Sequence, residues 1–205
     1  MKLLVGTRKG LFQIEQRNSG WHISDPHFLG VPCLNAFRDP RDGAIWALNG
    51  HGHWGPKLYV SRNEGADWEE AVCPAFPEGT RINEVTEWGN RDEAATVKHL
   101  YTMVPKGDAG CFLMGTDPGG MFETTDAGRT WTLNESLWSV RNEHNWFEGG
   151  GGVMLHSIEL DPTNPERMHI GVSCGGVYET IDGGRTWVPR NQGVIADFLP
   201  EPYPE

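Results

Sequence analysis

Short apolar runs, many of them alternating with polar residues, recur along this chain and are broken by clusters of Gly, Pro, Asn and Asp. Residues 3–7 and 11–14 predict two strands around a turn at Arg8, Lys9 and Gly10, and residues 21–23 predict a third. A second group follows at 33–37, 44–48 and 57–60, closed by a strand led by Trp68. A third comes at 97–103, 111–115 and 120–123 with Trp131, and a fourth at 155–160, 168–172 and 176–179 with Trp187. No long segment of 3.6-residue period survives the Gly and Pro punctuation, so the pattern predicts an all-β chain with one long loop at 136–152.

The third strand of each later group runs into the same eight-residue pattern. Thr180, Asp182, Gly184 and Trp187 stand at its first, third, fifth and eighth positions, as do Thr124, Asp126, Gly128 and Trp131, and a looser copy has Ser61, Asn63, Gly65 and Trp68. The hydroxyl and the Asp or Asn bond the backbone of their own turn, Gly supplies a positive φ, and Trp anchors the returning strand. Repetition of this kind marks a repeat architecture. The motif resembles the Asp-box, or BNR repeat, of sialidase-like and sortilin-like β-propellers, including bacterial proteins described as exo-α-sialidases or BNR-repeat glycosyl hydrolases.

The resemblance implies a β-propeller of four-stranded blades, here about four, at roughly 3–24, 33–73, 97–134 and 155–190. The first unit shows three strands, and in closed propellers a missing innermost strand comes from the other end of the chain. Four units could close as a four-bladed propeller, pair with a second copy or form the front part of a longer one; with fewer blades than the family usually has, an incomplete propeller is expected. In the family the boxes serve folding and lie away from the ligand.

Composition narrows the function. The 27 Gly, 14 Pro and 9 Trp suit many short strands joined by tight turns, and a formal net charge of -11 argues against a nucleic-acid binder. No run approaches the ~20 apolar residues of a membrane span, and the first residues are too short an apolar run for a signal peptide, so a cytoplasmic protein is expected. Cys33, Cys73, Cys111 and Cys174 are isolated from one another and read as reduced thiols in or near the core. No cofactor and no metal is expected.

In a four-stranded blade the turns between second and third strands share one face with the links between blades. That face would collect Arg8, Lys9, His51, His53, Trp54, Asp117, Cys174, His144, Trp146, Glu148 and His156. Aromatic faces stack on sugar rings while carboxylates and imidazoles bond hydroxyls, so a carbohydrate ligand is expected there. For hydrolysis Glu148 and Asp117 are the foremost carboxyls, with Glu143 and Glu84 behind them. A sialidase would need an early Arg-Ile-Pro motif and three arginines on the substrate carboxylate, and Arg81, Ile82 and Asn83 are the nearest approach. Tyr59 and Tyr178 fall on box hairpins, where packing is expected. His51 and His53 share a spacing that would suit a metal, yet the surrounding glycines favour a turn whose histidines bond backbone. The alternative to an enzyme is a propeller that binds a protein or small-molecule partner on the same face.

Overall fold

A computed structural model describes residues 1–86, 89–147 and 152–194. The first sheet contains β1 (Lys2–Thr7), β2 (Gly10–Arg17) and β3 (Gly20–Ile23). The second is β4 (Cys33–Arg38), β5 (Ile45–His51), β6 (Gly55–Ser61) and β7 (Glu69–Ala71), followed by a hairpin of β8 (Arg81–Thr86) and β9 (Gly89–Ala94). The third is β10 (His99–Pro105), β11 (Phe112–Asp117), β12 (Met121–Thr124) and β13 (Thr132–Leu133), followed by a helix, α1 (Glu135–Glu143). The fourth is β14 (Leu155–Leu160), β15 (Met168–Val172), β16 (Gly176–Thr180) and β17 (Val188–Pro189).

Every sheet is antiparallel with strands in chain order. The leading strand of each later sheet packs on the sheet before it: β4 on β1, β10 on β4 and β5, and β14 on β10 and β11. The sheets therefore succeed one another as the blades of a β-propeller. The period-2 pattern explains the cores between them. In β11, Phe112 and Met114 face Trp46, Leu48 and Leu58 of the second sheet, while Leu113 between them faces Ile158, Ile170 and Tyr178 of the fourth. A sheet buried on both faces reads as a continuous apolar run, as residues 111–115 do.

The first sheet differs. Its β4 contact is made by β1, as β10 contacts β5 and β14 contacts β11, so β1 stands where the other sheets have their second strand. Among the described residues the innermost position of this blade is empty, as the strand count had suggested. Leu3, Ile14 and Ile23 lie side by side on its outer face, with Leu3 and Ile23 exposed.

The repeated turn is built by the same bonds in each copy. Thr124 Oγ1 donates to Asp126 Oδ1 at 2.8 Å and accepts from Gly128 N at 3.1 Å; Thr180 does so with Asp182 and Gly184 at 2.8 and 2.9 Å, and Ser61 with Asn63 and Gly65 at 3.0 and 2.8 Å. Asp126 then accepts from the backbone of Arg129 and Thr130 and from the Thr130 hydroxyl, and Asp182 from Arg185 and Thr186 in the same way. Two successive left-handed residues shape the turn, Ala127 at φ 61° before Gly128 at 75°. Trp131 Nε1 donates to the Val72 carbonyl and Trp187 Nε1 to Asn134 Oδ1, so each Trp ties its blade to the end of the preceding one. Trp68 packs edge-on against Phe28 instead.

Three expectations are corrected. The stretch expected as a loop from 136 opens as helix α1, capped by Asn134, whose side chain accepts from Leu137 N at 2.8 Å. Leu137, Trp138 and Arg141 are its buried side, with Glu135 in the first turn and Arg141 in the last. The β8–β9 hairpin was not anticipated; β9 is largely exposed and polar, and β8 buries the apolar Ile82 beside the charged Glu84. Cys174 is exposed at the β15–β16 turn rather than near the core, in a left-handed conformation of φ 59°.

Candidate functional site

Antiparallel order places the β1–β2, β5–β6, β11–β12 and β15–β16 turns at one end of the blades, together with the links to the next leading strand. The repeated Thr/Asp turns lie at the other. At the turn end the structure brings together a cluster spanning the second and third blades. His99 opens β10, and its Nδ1 lies 3.1 Å from Asp117 Oδ2 at the end of β11. Asp117 is nearly buried while the imidazole is about half exposed, so the pair presents a ring held in place by a carboxylate. The Tyr101 ring stands edge-on to His99 at 6.2 Å, and a side chain at Gly50 would meet Leu34 at 3.5 Å and His99 at 3.9 Å.

The leading strands share an irregularity. Register slips between Cys33 and Asn35, between Leu100 and Thr102, and between Leu155 and Ser157, each leaving one extra residue. The extra residues are Leu34, Tyr101 and His156, at equivalent positions in three blades. Leu34 and His156 are exposed and Tyr101 is partly so. Bulges of this kind re-aim side chains at the rims of sheets.

The residues picked out by the sequence fall into several settings. Arg8 is exposed on the β1–β2 turn. On the β5–β6 turn His51 Nδ1 accepts from the backbone N–H groups of His53 and Trp54, which is the turn role, and Trp54 stands 69% exposed with His53 edge-on at 4.6 Å. His156 Nδ1 lies 2.8 Å from Ser157 Oγ. No group of three metal-ligating side chains occurs among the described residues. His144 ends α1, its ring edge-on to Tyr178 at 5.7 Å.

Trp146 lies elsewhere than on a ligand face: it is 2% exposed, and its Nε1 donates to the Tyr178 hydroxyl at 2.8 Å. A Cβ at Gly175 would come within 2.9 Å of its ring, so Trp146 is the floor on which the β15–β16 turn sits. Tyr178 packs in the same core, where burial raises its pKa. Glu148 lies outside the described residues, and Glu143 is exposed at the end of α1.

Glu84 is buried on β8, and its carboxylate takes Arg141 Nη2 at 2.6 Å and Arg91 at 3.5 Å. Arg141 is buried with its guanidinium over the Trp138 ring, and desolvation pulls its pKa down against the pull of Glu84. Asn145 adds a second clasp, its side chain accepting from Val85 N and donating to Val85 O. Hairpin and helix, insertions from successive links, thus brace each other at the turn end. Sequence reasoning missed His99, Tyr101 and Leu34. The faint signal was a Tyr and a His, Tyr101 and His156, near the start of two leading strands, where packing alone would favour an aliphatic residue; Leu34 carried none.

No family model matches the chain. It is 26% identical over 120 residues to the oligoxyloglucan-reducing end-specific xyloglucanase of Emericella nidulans, a match covering 54% of this chain and 14% of the xyloglucanase. In structure it resembles the Niastella koreensis GH74 enzyme, with a TM-score of 0.56 and 20% identity over 89% of this chain and 27% of that one. It also resembles the GH74 xyloglucanase of Xanthomonas campestris, with a TM-score of 0.52 and 15% identity over 92% and 28%. YCF48 of Cyanidioschyzon merolae gives a TM-score of 0.52 at 14% identity over 97% and 52%. The chain spans only 14% of the curated relative and 27% of the first enzyme structure. These matches support the propeller type that the repeated turns implied; the sialidase likeness draws no support from them. No helix among the described residues is long and apolar enough to cross a membrane.

Proposed function

We propose that this chain is a carbohydrate-binding portion of a glycoside-hydrolase-type propeller, with its ligand on the turn end of the blades. What carries the reading is the His99–Asp117 pair, a half-exposed imidazole fixed by a nearly buried carboxylate at 3.1 Å, edge-on to the Tyr101 ring and bordering Gly50 as the apolar Leu34 does. Apolar and aromatic surface with a few fixed polar groups is what a sugar ring needs. The likeness to a xyloglucanase points the same way.

Binding is favoured over hydrolysis within the described residues. Cleavage of a glycosidic bond needs two carboxyl groups across it. Asp117 is one candidate, but Glu84 is engaged by two arginines and Glu143 sits at the exposed end of the helix. A neutral sugar is favoured over sialic acid, because Arg129 and Arg185 project from the repeated turns at the opposite end from Arg8. A homo-oligomer that completes the ring remains part of the proposal, motivated by the empty inner position of the first blade. Its check is the solution mass, and a monomer at all concentrations would remove it.

The test of the ligand is calorimetric titration with xyloglucan oligosaccharides, cellotetraose and sialyllactose. Saturable binding of a neutral oligosaccharide, weakened roughly tenfold in Asp117→Asn by loss of a charged hydrogen-bond partner, is the expected result. Absence of saturable binding by any of the three would overturn the proposal.

A further inference from the structure

The three bulges are independent of one another in sequence, reading Cys33-Leu34-Asn35, Leu100-Tyr101-Thr102 and Leu155-His156-Ser157. Their flanks are alike: Cys33, Leu100 and Leu155 are buried, so the residue before the extra one anchors the strand in each blade. The extra residue is not alike, being aliphatic, phenolic and imidazole. A bulge kept for packing would hold one kind of side chain. Three bulges at one register that hold three kinds instead keep a direction, and vary what is presented in it.

The levels of the three strands match. Asn35 Nδ2 donates to the Tyr101 carbonyl at 3.3 Å, and the Leu155 carbonyl and the Thr102 methyl both border Gly115, so the second blade's bulge region abuts the third's and the third's abuts the fourth's. Because these are the leading strands, whose unpaired edge borders the axis of the arc, the three bulge positions follow one another around the axial mouth at the turn end, where Leu34 borders Gly50 and the His156 ring borders Gly171 of the second strands. The row is continuous with His99, whose ring stands edge-on to Tyr101 and, like Leu34, borders the space over Gly50.

We propose that Leu34, Tyr101 and His156 form an axial subsite that seats one ring of the ligand, with Tyr101 as the stacking surface, Leu34 as the apolar wall and His156 as the hydroxyl partner. This rests on the carbohydrate reading above and places one sugar ring over the axis rather than along the outer turns. The three side chains supply apolar surface, an aromatic face and an imidazole, with no fixed charge. That chemistry suits a neutral pyranose or furanose ring and not an anionic one.

The experiment incorporates 3-fluorotyrosine and follows the ¹⁹F spectrum during titration with xyloglucan oligosaccharides and cellotetraose. The Tyr101 resonance is assigned by its loss in Tyr101→Phe, and the buried Tyr178 serves as an internal reference. Addition of the neutral sugar is expected to shift the Tyr101 signal and leave Tyr178 in place. In calorimetry Tyr101→Ala is expected to weaken binding roughly tenfold and Tyr101→Phe to retain it, since the face and not the hydroxyl does the stacking. His156→Ala is expected to cost about threefold to tenfold, the worth of one hydrogen bond.

If no sugar binds the unaltered protein, the carbohydrate reading falls and the subsite with it. If a sugar binds but Tyr101 does not respond and Tyr101→Ala binds normally, only the axial subsite is overturned. Should Tyr101→Ala unfold, the fluorine shift in the otherwise unaltered protein still decides.

Discussion

The two ends of the blades are built on opposite rules. At one end the same turn occurs three times with the same donor, acceptor and left-handed glycine, and its side chains are used up in bonding their own backbone. At the other, no two blades carry the same turn: Arg8 and Lys9, the His51–Gly55 segment, Asp117 before a Pro, and Cys174 follow one another, with a hairpin and a helix inserted between blades. The repeated end spends its polar groups on folding. The varied end leaves His99, Trp54 and His156 with surface to offer. Ligand chemistry is sought where the repeat breaks down, because a fold that holds itself together at one end is free to differ at the other.

The comparison can be broken first at the insertions of the varied end, which a buried ion pair joins. Arg141→Met removes the 2.6 Å ion pair of the buried Glu84, and a broken buried pair costs about 3–5 kcal/mol. Urea unfolding is the measurement, and Arg141→Met combined with Glu84→Met should recover part of the loss because the buried carboxylate is removed as well. A single variant as stable as the unaltered protein would show that hairpin and helix do not depend on this clasp.

The repeated end is sharpened by Thr180→Val. The change keeps shape but leaves the buried Gly184 N–H without its 2.9 Å acceptor and removes one of the donors to Asp182, which keeps those of Arg185 and Thr186. A loss of about 1–3 kcal/mol in unfolding free energy is expected, with no change in ligand affinity. Equal effects on stability and affinity would mean that the two ends are coupled.

Protonation probes the same turns. Hydrogen bonds from Thr130, from the backbone and from Thr124 hold the Asp126 carboxyl down at about 2, and Asp182 is lowered by the matching bonds. A carboxyl whose folded pKa is depressed contributes its stability fully above its unfolded pKa, about 4, and loses it as pH falls through the folded value. The urea midpoint should therefore drop between about pH 4 and about pH 2, and the drop should flatten in Asp126→Asn with Asp182→Asn. An unchanged slope in that double variant would locate the acid sensitivity elsewhere.

What the sequence shows of the molecule follows the same division. Ser61, Thr124 and Thr180 with their partners were legible because one local bond set dictates residue type at fixed spacing, and the blade strands were legible because burial on both faces dictates apolar runs. Asp117 was legible as a carboxyl at the right turn, though its partner His99 was not, since the two are joined only by cross-strand register. Trp146 was read as a ligand residue because a Trp in a Gly-rich link carries no periodic context; its burial under Gly175 is a tertiary fact. The helix was hidden for a like reason. Its nine residues hold only Leu, Trp and Val as apolar side chains, and what fixes it is the buried bond from Arg141 to a hairpin some 57 positions away.

The smallest effect on stability falls to Trp54, and it separates the two ends most cleanly. Its side chain is exposed, and its ring meets those of His53 and His51 across the turn, whose backbone is already tied by His51 Nδ1. Replacing it with Ala should leave unfolding within about 0.5 kcal/mol, as for surface positions away from structural bonds. On the outer rim of the varied end, however, an exposed indole is a ready platform for a second sugar ring. Affinity for a longer xyloglucan oligosaccharide should fall about fivefold in Trp54→Ala, while a ligand of one or two rings, held at the axis, binds unchanged. A uniform loss across all lengths would place Trp54 in the same subsite as Tyr101; no loss at any length would confine the ligand to the axial mouth.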